Sequence, residues 1–357
     1  MIPPYRADHV GSLLRPKKLR EAFRTLSGKE LRAVQDECIR EVVKLQHDCG
    51  LQVVTDGEFR RISYWEKFVR LTRGLEVREA AFKFHDAHGH ERDFTAPYAA
   101  GKVGRGDPIT LDEFEFVEAN SALTAKITMP APSTMHFYRF NDWGNAYDDA
   151  AEFFADLGKV YQQEIAALAQ AGCRYVQLDE VALAVLCDPA AQAKVRAAGG
   201  NPDGLVNLYV DAINEAVKGA PAGMAIGVHM CRGNYKGMYL SEGGYTSIAE
   251  RLFSRANVSH FLLEFDTPRA GDFAPLAMMP KTKGAVLGLV SSKTAKLETI
   301  EELQRRAADA AKFMDPAQCA ISPQCGFAST MGGNPVTEAD QRAKLRLCVE
   351  AAEKIWG

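Results

Sequence analysis

Short apolar runs alternate with amphipathic segments along this chain, and nearly every run stops on polar residues at its C-terminal end. The runs are Tyr5–Leu13, Leu51–Thr55, Lys126–Met129, Tyr175–Leu178, Ala225–Val228, Phe261–Leu263, Ala285–Val290 and Cys319–Ser322. Between them, Lys29–Cys49 places Leu31, Val34, Cys38, Val42 and Leu45 at helical spacing and is closed by Gly50. Asp148–Ala171 does the same with Phe153, Leu157, Val160, Ile165 and Leu168 before Gly172, and Leu205–Val217, Ile248–Phe253, Leu297–Phe313 and Thr337–Ile355 also read as helices. Eight strands, most followed by a helix, predict an α/β fold: a (β/α)8 TIM-type barrel occupying residues 1–357 as a single catalytic domain. A doubly wound open sheet is the competing arrangement. The barrel is preferred because it gathers all the polar strand tips into one mouth.

Residues 59–120 interrupt the alternation and read as an insertion after the second strand. Phe94–Val103 and Ile109–Val117 look extended on either side of Gly104-Arg105-Gly106-Asp107-Pro108, which predicts a β-hairpin. The same stretch holds His85, His88 and His90, read as a solvated loop in preference to a metal site. Gly101–Gly106 matches no dinucleotide fingerprint in register or context.

Charge and composition narrow the function classes. A net charge of −3 provides no basic field for nucleic acid or anionic lipid. No run approaches the roughly 20 apolar residues of a membrane span, and the N-terminus lacks a signal-peptide pattern. Eight cysteines without short paired spacings argue against a disulfide framework and for a reducing, cytoplasmic setting. A homo-oligomer is left open.

The chemistry sits at the tips. His229 and Cys231 follow an apolar run and, two apart on a strand, project from the same face. Imidazole and thiolate are zinc's preferred ligand types. In a barrel, Glu264 and Cys325, at the ends of later strands, could join them, although a strand-end carboxylate is as often a salt-bridged group. Cys38, Cys49, Cys173, Cys187, Cys319 and Cys348 fit packing positions instead. The remaining tips are His9 and Ser12, Glu58, Asp179 and Glu180, Asp266, and Lys293.

The segments GSLLRP (11–16), TDGEFRR (55–61), QLDE (177–180), HMCRGN (229–234), LLEFD (262–266), LGLVSSK (287–293) and SPQCGFAS (322–329) together resemble the cobalamin-independent methionine synthase family. The likeness is closer to its short single-barrel members, which correspond to the C-terminal catalytic half of the full enzymes. The resemblance implies a Zn2+-dependent transfer of a methyl group to a thiol, homocysteine first among acceptors, with methyltetrahydrofolate or another compound as donor. It implies His229, Cys231, Glu264 and Cys325 as metal ligands, and Gly11, Ser12, Glu58 and Asp179 as the grip on the amino-acid thiol. Tyr64, Trp65 and Asn234 are assigned to the substrate mouth, and Glu58, Asp179 and Lys293 to catalysis. The seventh strand departs from the full-length pattern: it ends in Ser291-Ser292-Lys293 where those enzymes carry Asp-x-His. Two other readings are kept: alkylation of a thiol by a different electrophile, as in epoxyalkane:coenzyme M transferases, and a barrel that binds zinc or a thiol without turnover. Uroporphyrinogen decarboxylase-like barrels would be metal-free.

Overall fold

The computed structural model describes residues 3–80, 83–85, 90–140, 142–143 and 145–357. Its centre is a curled sheet of seven parallel strands: Val53–Val54, Thr124–Pro130, Tyr175–Glu180, Ala225–Met230, His260–Glu264, Gly284–Val290 and Cys319–Pro323. Each strand pairs with the next in sequence and the spatial order never reverses, which removes the doubly wound alternative, whose order must switch direction. Strand Tyr175–Glu180 is buried along its whole length, because helices cover one side and converging side chains fill the other.

Tyr5–Leu13, counted from the sequence as the first, short strand, makes a single bridge, Ala7 to Ile321. It nevertheless touches both edges of the sheet. Asp8 N–H donates to Ile321 O and Ile321 N–H to Arg6 O, both at 2.9 Å, while Leu13 N–H reaches Gly57 O at 3.1 Å.

The helices follow the apolar spacing. Gly28–Asp48 buries Cys38, Ile39, Val42 and Val43 and ends before Gly50, whose φ of 86° suits only a residue without a Cβ. Ala150–Gln170 starts on Asp149, whose carboxylate accepts the N–H of Glu152, and it buries Phe153, Leu157, Val160, Ile165 and Leu168. Capping boxes at Thr299/Glu302 and Thr337/Asp340 open the last two long helices.

Between the first two parallel strands the hairpin expectation is corrected. Thr95–Arg105 is a strand, but its antiparallel partner is Thr72–Glu79, upstream of it. Ile109–Val117, read as extended, falls mostly within the helix Leu111–Asn120. Its apolar residues Leu111, Phe114, Phe116 and Val117 fit either period over so short a run, and burial of Glu113, Phe114 and Val117 on one face settles it as a helix. His88 and the side chain of His85 lie outside the described residues; His90 is exposed.

Candidate active site and metal centre

The C-terminal ends of the strands surround a cavity of about 700 Å³, lined by Ser12, Glu58, Tyr64, Trp65, Asp179, His229, Cys231, Asn234 and Cys325 among others. Among the described residues, His229, Cys231 and Cys325 form a cluster of buried metal-type donors whose ligand atoms all lie within 4.8 Å of one another. His229 and Cys231 come from the end of Ala225–Met230 and the residue after it, and Cys325 from the turn after Cys319–Pro323. The His229 Nδ1 lies 3.3 Å from the Leu262 carbonyl. That contact assigns its proton there and turns Nε2, buried without a hydrogen-bond partner, to the sulfurs.

The two thiols are shifted in opposite directions by the hydrogen bond between them. The hydrogen bond from Cys231 pulls Cys325 well below its ordinary value against the cost of burial, helped by His229 and the Lys293 charge. The same hydrogen bond, with burial, pushes Cys231 well above it. Burial disfavours the charged His229 imidazole, but the Cys325 sulfur more than offsets this and raises its pKa. One imidazole and two sulfurs are a donor set that fits a tetrahedral ion of zinc's type, with room for a further ligand.

Glu264 is not part of that cluster. Its Oε2 accepts the Arg232 backbone N–H at 2.7 Å and its Oε1 accepts Arg269 at 2.7 Å, with the Lys293 Nζ 3.9 Å away. Burial alone would raise this carboxyl, yet Lys293, Arg232 and Arg269 hold it down at about 2. Lys293 itself does not line the cavity. Its ammonium sits behind the wall and donates to the Gly233 carbonyl at 2.9 Å.

Glu58 and Asp179 face the cavity from neighbouring tips. Asp179 is pushed up to about 7 by burial and by repulsion from Glu58, with His229 opposing. Glu58 is likewise raised by burial, against the pull of Arg61 and Arg15. Its Oε1 accepts from Thr128 at 2.8 Å, while Oε2 is buried without a partner. Among the described residues Asp179 makes no ion pair, and Glu58 makes only a long one with Arg61. Arg60 is engaged by Asp36 at 2.8 Å, and Arg61 by Glu113 at 2.6 Å and only at 3.6 Å by Glu58.

Glu58 sits at φ 61°, unusual for a residue with a side chain. Arg15, unremarked in the sequence, holds it there: its guanidinium donates to the carbonyls of Glu58 and Arg61 at 2.9 Å and of Ala328 at 2.8 Å. An arginine in a Gly-Ser-Leu-Leu-Arg-Pro turn was the only available signal. Gly11 does not line the cavity but carries the Ser12 turn, at φ 130° and against Thr128, where a Cβ would come within 2.6 Å. Asn234 donates to the Gly326 carbonyl at 2.8 Å, and Trp65 and Tyr64 form part of the cavity wall. His9, buried beside Lys126, is pushed down to about 3, chiefly by burial; it does not line the cavity.

Residues 13–354 match the family described as cobalamin-independent synthase, catalytic domain. The chain belongs to the cobalamin-independent methionine synthase family. It is 37% identical to the protein YxjH of Bacillus subtilis, itself described as uncharacterized, over 99% of this chain and 95% of that one. It is 28% identical to the methionine synthase of Pyrococcus furiosus over 88% of this chain and 82% of that one. The crystal structure of a Listeria monocytogenes protein described as a putative vitamin-B12-independent methionine synthase superposes with a TM-score of 0.80 at 32% identity, covering 100% and 99% of the two chains. Membership suggests a methyltransferase. Among the described residues no helix is long and apolar enough to cross a membrane.

Proposed function

We propose that this protein is a cytoplasmic, zinc-dependent methyltransferase that methylates the thiol of homocysteine to give methionine. In this reading residues 1–357 form one closed (β/α)8 barrel, with residues 5–13 as its first strand and 59–120 as an insertion beside the mouth. The observation that carries it is the convergence, in one cavity, of a buried His/Cys/Cys donor set with two buried carboxylates, of which Glu58 has only a long 3.6 Å ion pair with Arg61.

His229, Cys231 and Cys325 would hold the metal, with Glu264 close by as a further ligand once its present partners release it. The zinc, when bound, acts as a Lewis acid that keeps an incoming thiol ionised near neutral pH, where a free thiol of pKa about 8.5 is mostly protonated. Glu58 and Asp179 receive the substrate ammonium; its positive charge relieves their mutual repulsion and ionises both. Ser12, on the turn held by Gly11, contacts the rest of the amino acid, and Asn234, Tyr64 and Trp65 wall the space beyond the sulfur. As the sulfur–carbon bond forms, the donor's bond to methyl breaks, and an amine donor such as methyltetrahydrofolate leaves with a proton taken from solvent, which balances the one the thiol released there on binding. Lys293, behind the wall, serves by stabilising negative charge on the sulfurs and not by delivering that proton.

An epoxide-opening transferase acting on a sulfonate thiol fits less well, because Glu58 and Asp179 would repel the sulfonate. The test is zinc analysis and methionine formation from homocysteine, with methyltetrahydrofolate, its polyglutamate, methylcobalamin and a simple sulfonium run in parallel. Stoichiometric zinc and turnover with at least one donor are expected. A Cys231→Ser variant that retained full zinc and full activity would refute the assignment. Zinc coordination that ignores added homocysteine would mark a structural site.

A further inference from the structure

We propose that Gln177 is the positioning residue that aims Asp179 at the substrate, and that Lys126 fixes which way the Gln177 amide points. The inference rests on the reading above that Glu58 and Asp179 receive an ammonium group, and it adds the device that makes them selective.

The geometry is a buried relay running up the inside of the sheet. Lys126 Nζ donates to Asp8 Oδ1 at 2.8 Å, to the His9 carbonyl, and to Gln177 Oε1 at 3.0 Å. Gln177 Nε2 in turn donates to Asp179 Oδ1 at 2.7 Å and to the Val10 carbonyl at 2.6 Å. A side-chain amide can be turned by half a rotation at little cost in shape, so its orientation needs a partner that accepts only one answer. Lysine offers donors only, so the amide oxygen must face Lys126 and both N–H groups must face the mouth. All three residues are buried, Gln177 completely, and of the three only Asp179 reaches the cavity.

Lys126 is itself held from below. Asp8 Oδ2 accepts the Tyr175 hydroxyl at 2.6 Å, and that hydroxyl lies 2.7 Å from His260 Nε2. The two N–H groups of Gln177 then do two things at once. One holds a single oxygen of Asp179 and leaves the other for the ligand. The other ties Val10, two residues before Ser12, to the strand that carries Asp179. Both halves of the amino-acid grip are thereby referenced to one amide.

The test uses the zinc-loaded enzyme and two thiols, homocysteine and 4-mercaptobutyrate, which lacks only the ammonium. Wild type should prefer homocysteine. Gln177→Met, similar in length, should lose about 10- to 100-fold of that preference, as expected for a hydrogen bond to a charged group. Zinc content should stay as in wild type, and binding of 4-mercaptobutyrate, which makes no use of Asp179, should weaken much less than that of homocysteine, a pattern that general loosening of the site would not give. Wild-type preference in a folded Gln177→Met, whether both thiols bind as before or both weaken equally, would overturn the positioning role. A wild-type enzyme indifferent to the missing ammonium would instead overturn the ammonium site, and this inference with it.

Discussion

Replacing Glu113 with Gln should damage stability and thiol binding together, although Glu113 is absent from the cavity lining. Glu113 is fully buried and takes two hydrogen bonds from Arg61, at 3.1 Å from Nε and 2.6 Å from Nη2, with Lys67 at 3.1 Å. A neutral amide at this position would leave the buried Arg61 charge uncompensated, a loss typically of about 3–5 kcal/mol. The low end, about 3 kcal/mol, is expected because Lys67 keeps Asp112 and Arg61 can turn to Glu58, 3.6 Å away. With 357 residues at roughly 2.1 cal/mol/K each, the unfolding entropy is about 0.75 kcal/mol/K, and Tm should fall by about 4 °C. The turn toward Glu58 has a functional cost, since an arginine would then occupy the place reserved for the substrate ammonium. KM for homocysteine should rise by about tenfold, with kcat much less affected. The pH dependence gives a further check. Burial would raise Glu113, but Arg61 and Lys67 hold it below its ordinary value of 4.5. A depressed carboxylate contributes stability above its unfolded pKa and loses it as pH falls through the folded value. The Tm gap between wild type and Glu113→Gln should therefore be full at pH 7 and close in acid below pH 4.5. Scanning calorimetry across that range, with KM measured at neutral pH, decides the matter. An unchanged Tm at pH 7 together with an unchanged KM would refute the account of Arg61 as a cation kept from Glu58 by Glu113.

Asp179→Asn should reduce the pH dependence of homocysteine binding, which in wild type should weaken as pH falls below about 7 and Asp179 is protonated; calorimetric titration at pH 6 and 8 reads it. Because burial raises this carboxyl from 3.8 to about 7, its ionisation burdens the folded state increasingly as pH rises through that window. Asp179→Asn should consequently match or exceed the wild-type Tm at pH 8. Gly326→Ala would put a Cβ 1.9 Å from the Ser12 Oγ, so it should cost about 1–3 kcal/mol and weaken thiol binding, measurable by denaturant melts and KM.

How much of this was legible in the sequence depends on whether a feature is local. The helices at 28–48 and 150–170 were readable because their apolar spacing repeats over 21 residues each. The strands were readable because burial on both faces leaves only apolar choices between the polar tips. Leu111–Asn120 was not, since a run of ten residues with Phe and Val at mixed spacing satisfies both periods. In the site, His229 and Cys231 announced themselves by their spacing, but Arg15, Gln177 and Glu113 did not. Their roles depend on partners 43, 51 and 52 residues away along the chain. A one-dimensional pattern carries no sign of such pairings. For Lys293 the sequence placed the residue near the site, but only the fold places its ammonium behind the Gly233 carbonyl.

The same distinction separates Glu264 from the other tip carboxylates and makes its behaviour testable. Glu58 and Asp179 are raised because burial leaves them under-compensated, which suits groups that await a cation. Glu264 is held at about 2 because Lys293, Arg232 and Arg269 already surround it. To donate to a metal it must give up at least one of these partners, and Arg269 is the most exposed of the three, at 15% for its side chain against 7% and 0%. Arg269→Gln should therefore release the carboxylate. Zinc should bind more tightly by about tenfold, as one charge-assisted hydrogen bond is removed from the competition, and X-ray absorption should show an added oxygen ligand at zinc. Homocysteine would then have a better ligand to displace and should bind more weakly in the same variant. Unchanged zinc affinity with an unchanged ligand set would mean that Arg269 does not restrain Glu264, and that the carboxylate reaches the metal or stays away for another reason.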